Sequence, residues 1–289
     1  MRSLLFVPGD SEKKLAKAES ARADAFILDL EDAVAPSSKA KAREIVAEYL
    51  KSLKARKARF YVRVNALSTG LTDADLDAVV PGRPDGIMLP KSGGGADAIA
   101  LGAKLAAREA INGLPDGAIR TIPIATETTA SIFQMGSYRG ASARMEALTW
   151  GGEDLSAEVA AETNRLEDGN YTMPYQLARS LTLFAAVASN VTPIDTVFTN
   201  FRDEAGLRKE ALAARRDGFL GKMVIHPDQI GPVNEIFTPS KESIARAQAI
   251  IKAFETGAGV ANLNGEMLDM LHVKYAERVL ARAKAAGLV

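Results

Sequence analysis

Through residue 225, short apolar runs alternate with longer stretches that carry apolar residues at helical spacing. The runs are Ser3–Val7, Ala25–Leu30, Phe60–Val64, Gly86–Leu89, Thr121–Ala125, Ala147–Trp150, Ile194–Phe198 and Lys222–Ile225. They are nearly continuous in hydrophobicity, which predicts strands buried on both faces. Between them, Glu12–Glu19, Lys39–Ser52, Ala96–Glu109, Pro174–Ser189 and Asp203–Arg216 read as helices. Strands alternating with helices imply a parallel sheet covered by helices, and eight repeats predict a TIM (β/α)8 barrel over residues 1–236. An open doubly wound sheet is the alternative. It loses ground because the first turn reads Pro8-Gly9-Asp10-Ser11, with no G-x-G-x-x-G. After His226 the pattern changes. Ser240 is the expected N-cap of a helix at Ser243–Phe254, a small-residue stretch runs from Thr256 to Gly265, and a last helix lies near Leu271–Lys284. Residues 237–289 therefore read as a C-terminal extension, either a lid over a site or an arm onto a neighbouring subunit.

Barrel active sites lie at the C-terminal ends of the strands. Those ends hold Asp29, Glu31 and Asp32 in LDLEDAV, Arg63 and Asn65 in VRVN, and Lys91 in MLPK. Later ends hold Glu127, Asp154, Asp195 in PIDTV and His226 in VIHP. Buried strands seldom carry charge without a partner, so this gathering predicts an active site. Within Thr121–Asp154, two neighbouring strands each finish with a carboxylate, Glu127 and Asp154. Such a pair with room for water suits Mg²⁺, which takes oxygen ligands and keeps several waters. The same two acids would also serve as helix N-caps. An arginine among the carboxylates could grip an anionic substrate in a bidentate fork. Lys91 could form a Schiff base, but surrounding carboxylates would raise its pKa, which favours a structural ion pair. His226 reads as either an acid/base or a structural histidine, His272 as a surface or core residue, and Trp150 as core. Ser92–Gly95 could cradle a phosphate or be a plain loop.

The 36 basic and 36 acidic residues cancel, which argues against a general nucleic-acid binder. The basic run KSLKARKAR reads as a solvated helix end. The absence of cysteine excludes disulfides, thiolate metal sites and cysteine nucleophiles. Without a G-x-S-x-G elbow, a serine hydrolase has little support. Pro8-Gly9 ends the first apolar run too early for a signal peptide, and no apolar segment is long enough to cross a bilayer. A soluble, cytoplasmic protein is expected.

The ordered motifs RSLLFVPGD, ADAFILDLEDAVAPSSKAKAR, YVRVN, GIMLPK, GGEDL, RDEAGL, GKMVIHPDQI and FTPS resemble those of citrate lyase β-subunit-like proteins. That family includes malyl-CoA and citramalyl-CoA lyases and malyl-CoA thioesterases, and the resemblance spans essentially the whole chain. It implies a TIM barrel with a C-terminal extension, usually assembled as a homotrimer, and a CoA thioester substrate with a 2-oxo acid as product. It implies Mg²⁺ on Glu127 and Asp154 and a substrate-carboxylate contact at Arg63. Glu31 and Asp32 match positions that hold metal-bound waters. Lys17 matches a lysine on the CoA phosphates and Phe6 an aromatic beside CoA. Asp269, in GEMLD, matches a catalytic aspartate that a neighbouring subunit supplies. The chain departs from some relatives at Ser11, where they have a CoA-binding arginine, and at Thr126-Glu127-Thr128-Thr129, which alters the surroundings of the metal ligand. The implied activity is Mg²⁺-dependent cleavage of malyl-CoA, β-methylmalyl-CoA or citramalyl-CoA. The alternatives are malyl-CoA hydrolysis and a citrate lyase subunit acting on a carrier-protein thioester.

Overall fold

The computed structural model describes residues 1–255, 259–263 and 265–289. In chain order the elements are β1 (Ser3–Pro8), α1 (Glu12–Ala18), β2 (Ala25–Asp29), α2 (Lys39–Ser52), β3 (Arg59–Arg63), α3 (Thr72–Val79), β4 (Gly86–Leu89) and α4 (Gly95–Ile111). There follow β5 (Arg120–Pro123), α5 (Thr129–Ile132), β6 (Ala147–Leu148), α6 (Gly152–Glu158), α7 (Met173–Ala188), β7 (Thr192–Asp195), α8 (Glu204–Asp217), β8 (Gly221–Val224) and α9 (Ile230–Phe237). The chain ends with α10 (Lys241–Ala253), β9 (Val260–Leu263), β10 (Glu266–Asp269) and α11 (Met270–Ala285).

Strands β1 to β8 are all parallel, ordered β5-β4-β3-β2-β1-β8-β7-β6. The two ends of that order meet. Parallel bridges join Thr121 to Met145 and Ile124 to Thr149, and Thr149 N–H donates to the Pro123 carbonyl at 3.2 Å. The sheet thus closes into the (β/α)8 barrel that the hydrophobic pattern predicts. Leu4, Ile27, Tyr61, Met88, Ile122, Ile124, Ile194 and Met223 fill its interior. Inward positions alternate with outward ones along each strand, so the outer faces pack under the helices. The sixth strand is shorter than its apolar run: only Ala147–Leu148 pair as a strand, with Thr149 carrying the closing bridge.

Two compact units, Met1–Asn234 and Glu235–Val289, divide the chain within α9. In the second unit, β9 and β10 pair antiparallel as a hairpin, with Gly265 at φ 87° in the turn. The small-residue pattern of this stretch does not predict strands. Residues 256–258 and 264 of it lie outside the described residues. Leu268 of the hairpin packs with Ala247 and Ile250 of α10 and with Val273, Ala276 and Val279 of α11. No helix among the described residues is long and apolar enough to cross a membrane.

Candidate active site

The site is assembled by strand register. Asp29, last in β2, lies beside Arg63, last in β3, and beside Pro8 of β1. Neighbours in register on parallel strands point the same way, so the two side chains meet. Asp29 takes both Arg63 Nε (2.7 Å) and Arg63 Nη2 (2.6 Å) in a bidentate fork. Its oxygens also accept the backbone N–H groups of Glu31 and Ala33. Arg63 Nη1 stands 3.0 Å from Glu31 Oε2, and the guanidinium lies 4.8 Å from the centre of the Phe6 ring. Burial alone would lower the Arg63 pKa. The charges and hydrogen bonds of Asp29 and Glu31 outweigh it and keep the group cationic.

Glu127 and Asp154 extend this cluster across β5 and β6. The N-cap of α5 is Thr128, whose side chain accepts the Ser131 N–H, and Asp154 lies inside the first turn of α6. Glu127 is therefore free of the capping role open to it from the sequence. Its Oε2 instead accepts the Lys91 N–H at 2.5 Å, and its side chain lies against Gly151, where any Cβ would collide with Glu127 Cγ. Glu127 is 4% exposed. Burial first, and then the Asp154 charge, push its pKa up to about 8. The Lys91 ammonium pairs with Glu31, with Asp32 at 3.0 Å and with Asp154 at 3.4 Å. This is the ion-pair role, and it draws Lys91 into the site. Burial disfavours the ammonium, but Glu31 leads the carboxylates that raise its pKa.

Beside these side chains a cavity of about 280 Å³ opens at the C-terminal mouth of the barrel. Phe6, Asp29, Arg63, Glu127 and Asp154 line it, and Thr196, Val197, Met223 and Ile225 close the side formed by β7 and β8. The mouth is thus charged from β2 to β6 and largely apolar from β7 round to β1. Asp29 in its positioning role and the apolar wall are what motif reading missed. Strand-end position and the LDLEDAV motif point to Asp29 as an acid of the site but not to its grip on Arg63, and nothing in the sequence separates Val197 or Met223 from core.

Other strand-end residues go elsewhere. Asp195 turns outward and is fully buried, bonded to Lys222 Nζ (2.9 Å), Arg179 Nε (3.1 Å) and Trp150 Nε1 (2.8 Å). Trp150 thus has a polar tie besides its place in the core. His226 caps the turn at Pro227–Gln229 and stacks on Phe201, with ring centres 4.6 Å apart. Lys17 is exposed in the last turn of α1, outside the cavity lining. Asp269, in the second unit, caps α11. Its Oδ1 accepts the Leu271 N–H and lies 2.8 Å from His272 Nδ1.

The donor set fits a hard divalent cation. The carboxyl groups of Asp29, Glu31, Asp32, Glu127 and Asp154 gather around Arg63 and Lys91, with Lys39 Nζ on the Leu30 and Glu31 carbonyls beside them, so acids outnumber bases at the mouth. Among the described residues no group of three or more acids or histidines is arranged to hold a metal. Glu127 and Asp154 would therefore share the ion with oxygens from water or substrate, as is usual for Mg²⁺.

A parallel barrel with its charges gathered over a cavity at the strand C-termini defines an enzyme-type TIM barrel. The chain belongs to the HpcH/HpaI aldolase/citrate lyase family, whose model matches residues 2–227. It is 34% identical over 302 residues to the mitochondrial citramalyl-CoA lyase of Rattus norvegicus, covering 98% of this chain and 86% of the relative. It is 35% identical to a (3S)-malyl-CoA thioesterase of Cereibacter sphaeroides, over 98% of this chain and 95% of that one. Among solved structures, protein CitE from Mycobacterium tuberculosis, in complex with magnesium, acetoacetate and coenzyme A, superposes with a TM-score of 0.78. That match has 31% identity and covers 98% of both chains.

Proposed function

We propose that the protein is a Mg²⁺-dependent carbon–carbon lyase that cleaves a 3-hydroxyacyl-CoA into an acyl-CoA and a 2-oxo acid. Malyl-CoA, β-methylmalyl-CoA and citramalyl-CoA are the candidate substrates. The observation that carries this reading is the acid-rich cluster around Arg63 beside a cavity walled by Phe6. The citramalyl-CoA lyase relative and the CitE complex with magnesium and coenzyme A support it.

Glu127 and Asp154 would hold Mg²⁺, which when bound supplies Lewis-acid polarisation of the substrate's oxygens. Arg63, held in orientation by Asp29 and Glu31, keeps N–H groups beyond the Asp29 fork and offers them to a carboxylate or a developing oxyanion. Its seat against Phe6 would leave that ring for the CoA end of the substrate. Glu31 and Asp32 would accept hydrogen bonds from water at the metal. As the Cα–Cβ bond breaks, the 3-hydroxyl would lose its proton to a carboxylate of the site and its oxygen would become the carbonyl of the 2-oxo acid. The electron pair of the broken bond goes to the thioester as an enolate, whose carbon must then gain a proton. Asp269 of a neighbouring subunit in a homotrimer would deliver that proton from its carboxyl oxygen. Lys17 would meet the CoA phosphates.

Malyl-CoA and citramalyl-CoA should be assayed with and without Mg²⁺, following 2-oxo acid and free thiol in parallel. Oxo acid without thiol is the expected result. Thiol without oxo acid would move the assignment to malyl-CoA hydrolysis, the second reading that the thioesterase relative favours. Neither product would sink both.

A further inference from the structure

Lys91 touches the candidate metal ligands twice. Its backbone N–H donates to Glu127, and its ammonium stands 3.4 Å from Asp154 Oδ1 while also reaching Glu31 and Asp32. The residue sits at φ 49°, in the left-handed region that a side chain with a Cβ rarely adopts. Such a conformation persists where its surroundings hold it, and the bonds to Glu127 and the three other carboxylates are in place to do so. The two contacts differ in stiffness. The N–H is fixed by the backbone, whereas the ammonium is a compact charge on a flexible four-carbon stem, with 31% of the side chain exposed.

We propose that Lys91 is a positioning residue and a built-in competitor of the metal: its N–H fixes Glu127, and its ammonium gives up Asp154 to an incoming divalent cation. This rests on the reading of Glu127 and Asp154 as metal ligands. The physical argument is Coulombic. An ammonium and a divalent ion on the same carboxylate repel strongly at such separations, so one must retreat. Glu31 and Asp32 give the ammonium a place to go without losing its counter-charges. A monovalent ion brings no more charge than the ammonium it would displace. The arrangement therefore selects divalent ions and keeps Asp154 paired until one arrives.

The test is calorimetric titration of the full-length chain with Mg²⁺, without substrate, comparing wild type with Lys91→Met and Lys91→Gln. Both substitutions keep the backbone N–H and remove the charge. Circular dichroism establishes that each variant is folded, and the second serves if the first is not. Removing the competitor should tighten the Mg²⁺ dissociation constant roughly three- to tenfold. An unchanged or weaker constant, with wild type binding Mg²⁺, overturns the role of Lys91 alone. Wild type that binds no Mg²⁺ overturns the metal reading and this proposal together. A crystal structure of the Mg²⁺-loaded wild type gives a second readout: Lys91 Nζ should lie beyond 4 Å from Asp154 and still contact Glu31. Nζ remaining at its present distance from Asp154 beside a bound Mg²⁺ counts against the proposal.

Discussion

Two clusters of charge in the barrel unit use the same residue types to different ends. At the mouth, five acids (Asp29, Glu31, Asp32, Glu127, Asp154) surround two bases, Arg63 and Lys91, next to a cavity. Behind β7 and β8, Asp195, Glu210 and Asp217 pair with Lys222, Arg165 and Arg179, with Arg216 on the exposed side of Asp217. There Lys222 and Asp195 are wholly buried, and Lys222 bridges Asp195 at 2.9 Å and Glu210 at 2.6 Å. Charge paired group for group, with the Lys222–Asp195 pair at its centre sealed from water, holds helices α7 and α8 to the barrel. Unbalanced charge at an opening has unused capacity, and that capacity is what a cation or an anionic substrate can use. Perturbed groups mark both places, so perturbation alone does not mark function.

The comparison breaks most sharply at Lys222. Lys222→Met should strand Asp195 and Glu210 and cost about 3–5 kcal/mol in urea unfolding, while leaving Mg²⁺ affinity of the folded protein unchanged. A loss of Mg²⁺ affinity would mean that the two clusters are not separate. Glu127→Gln should do the reverse. Mg²⁺-dependent turnover should fall on the order of a hundredfold to a thousandfold, with a gain in metal-free stability at neutral pH, because glutamine cannot ionise whereas burial makes Glu127 hold its proton more tightly folded than unfolded. Unaltered turnover would remove Glu127 from the metal site. Asp29→Asn should act between these extremes. Arg63 keeps its place on Phe6 but loses a charged fork, so kcat/KM should drop roughly ten- to a hundredfold, chiefly through KM, with Mg²⁺ binding intact. An unchanged KM would show that Asp29 does not position Arg63.

The sealed cluster also has a pH signature. Burial pushes the Asp195 carboxyl up, but Lys222 and Arg179 outweigh it and hold its pKa below the ordinary 3.8. The folded state then binds fewer protons than the unfolded one. This contribution is complete above the ordinary value and drains away as pH falls through the folded pKa. Asp195→Asn should flatten the acid limb of a stability–pH curve below about pH 4, and an unaltered limb would contradict the ion pairing. The smallest effect belongs to charge that is neither buried nor at the mouth. Replacing Glu204, which pairs with Arg208 across one helical turn, should change stability by less than about 0.5 kcal/mol.

How much of this was legible in the chain depends on the kind of signal. The eight strands appear within a few residues of their apolar runs because a strand buried on both faces must be apolar throughout, whatever lies around it. Glu127, Asp154 and Arg63 were legible because a charge at the end of such a run is conspicuous. The β9–β10 hairpin was not, because its strands alternate weakly and are largely exposed, leaving no apolar run to read.

By itself, then, the sequence determined the barrel, the end of it that carries charge, and the acids available to a metal. Tertiary structure alone decided which charges face the mouth. Asp195 and Glu127 look alike in the sequence, both acids at the end of an apolar run. Strand register turns Asp195 outward onto Lys222, while Glu127 lies against Gly151 at the cavity. Moving one position along a strand reverses the face of the sheet, and only the neighbouring strands set which face meets the cavity. The same holds for Asp29 and Arg63, which lie 34 residues apart and become partners because β2 and β3 pair in one register.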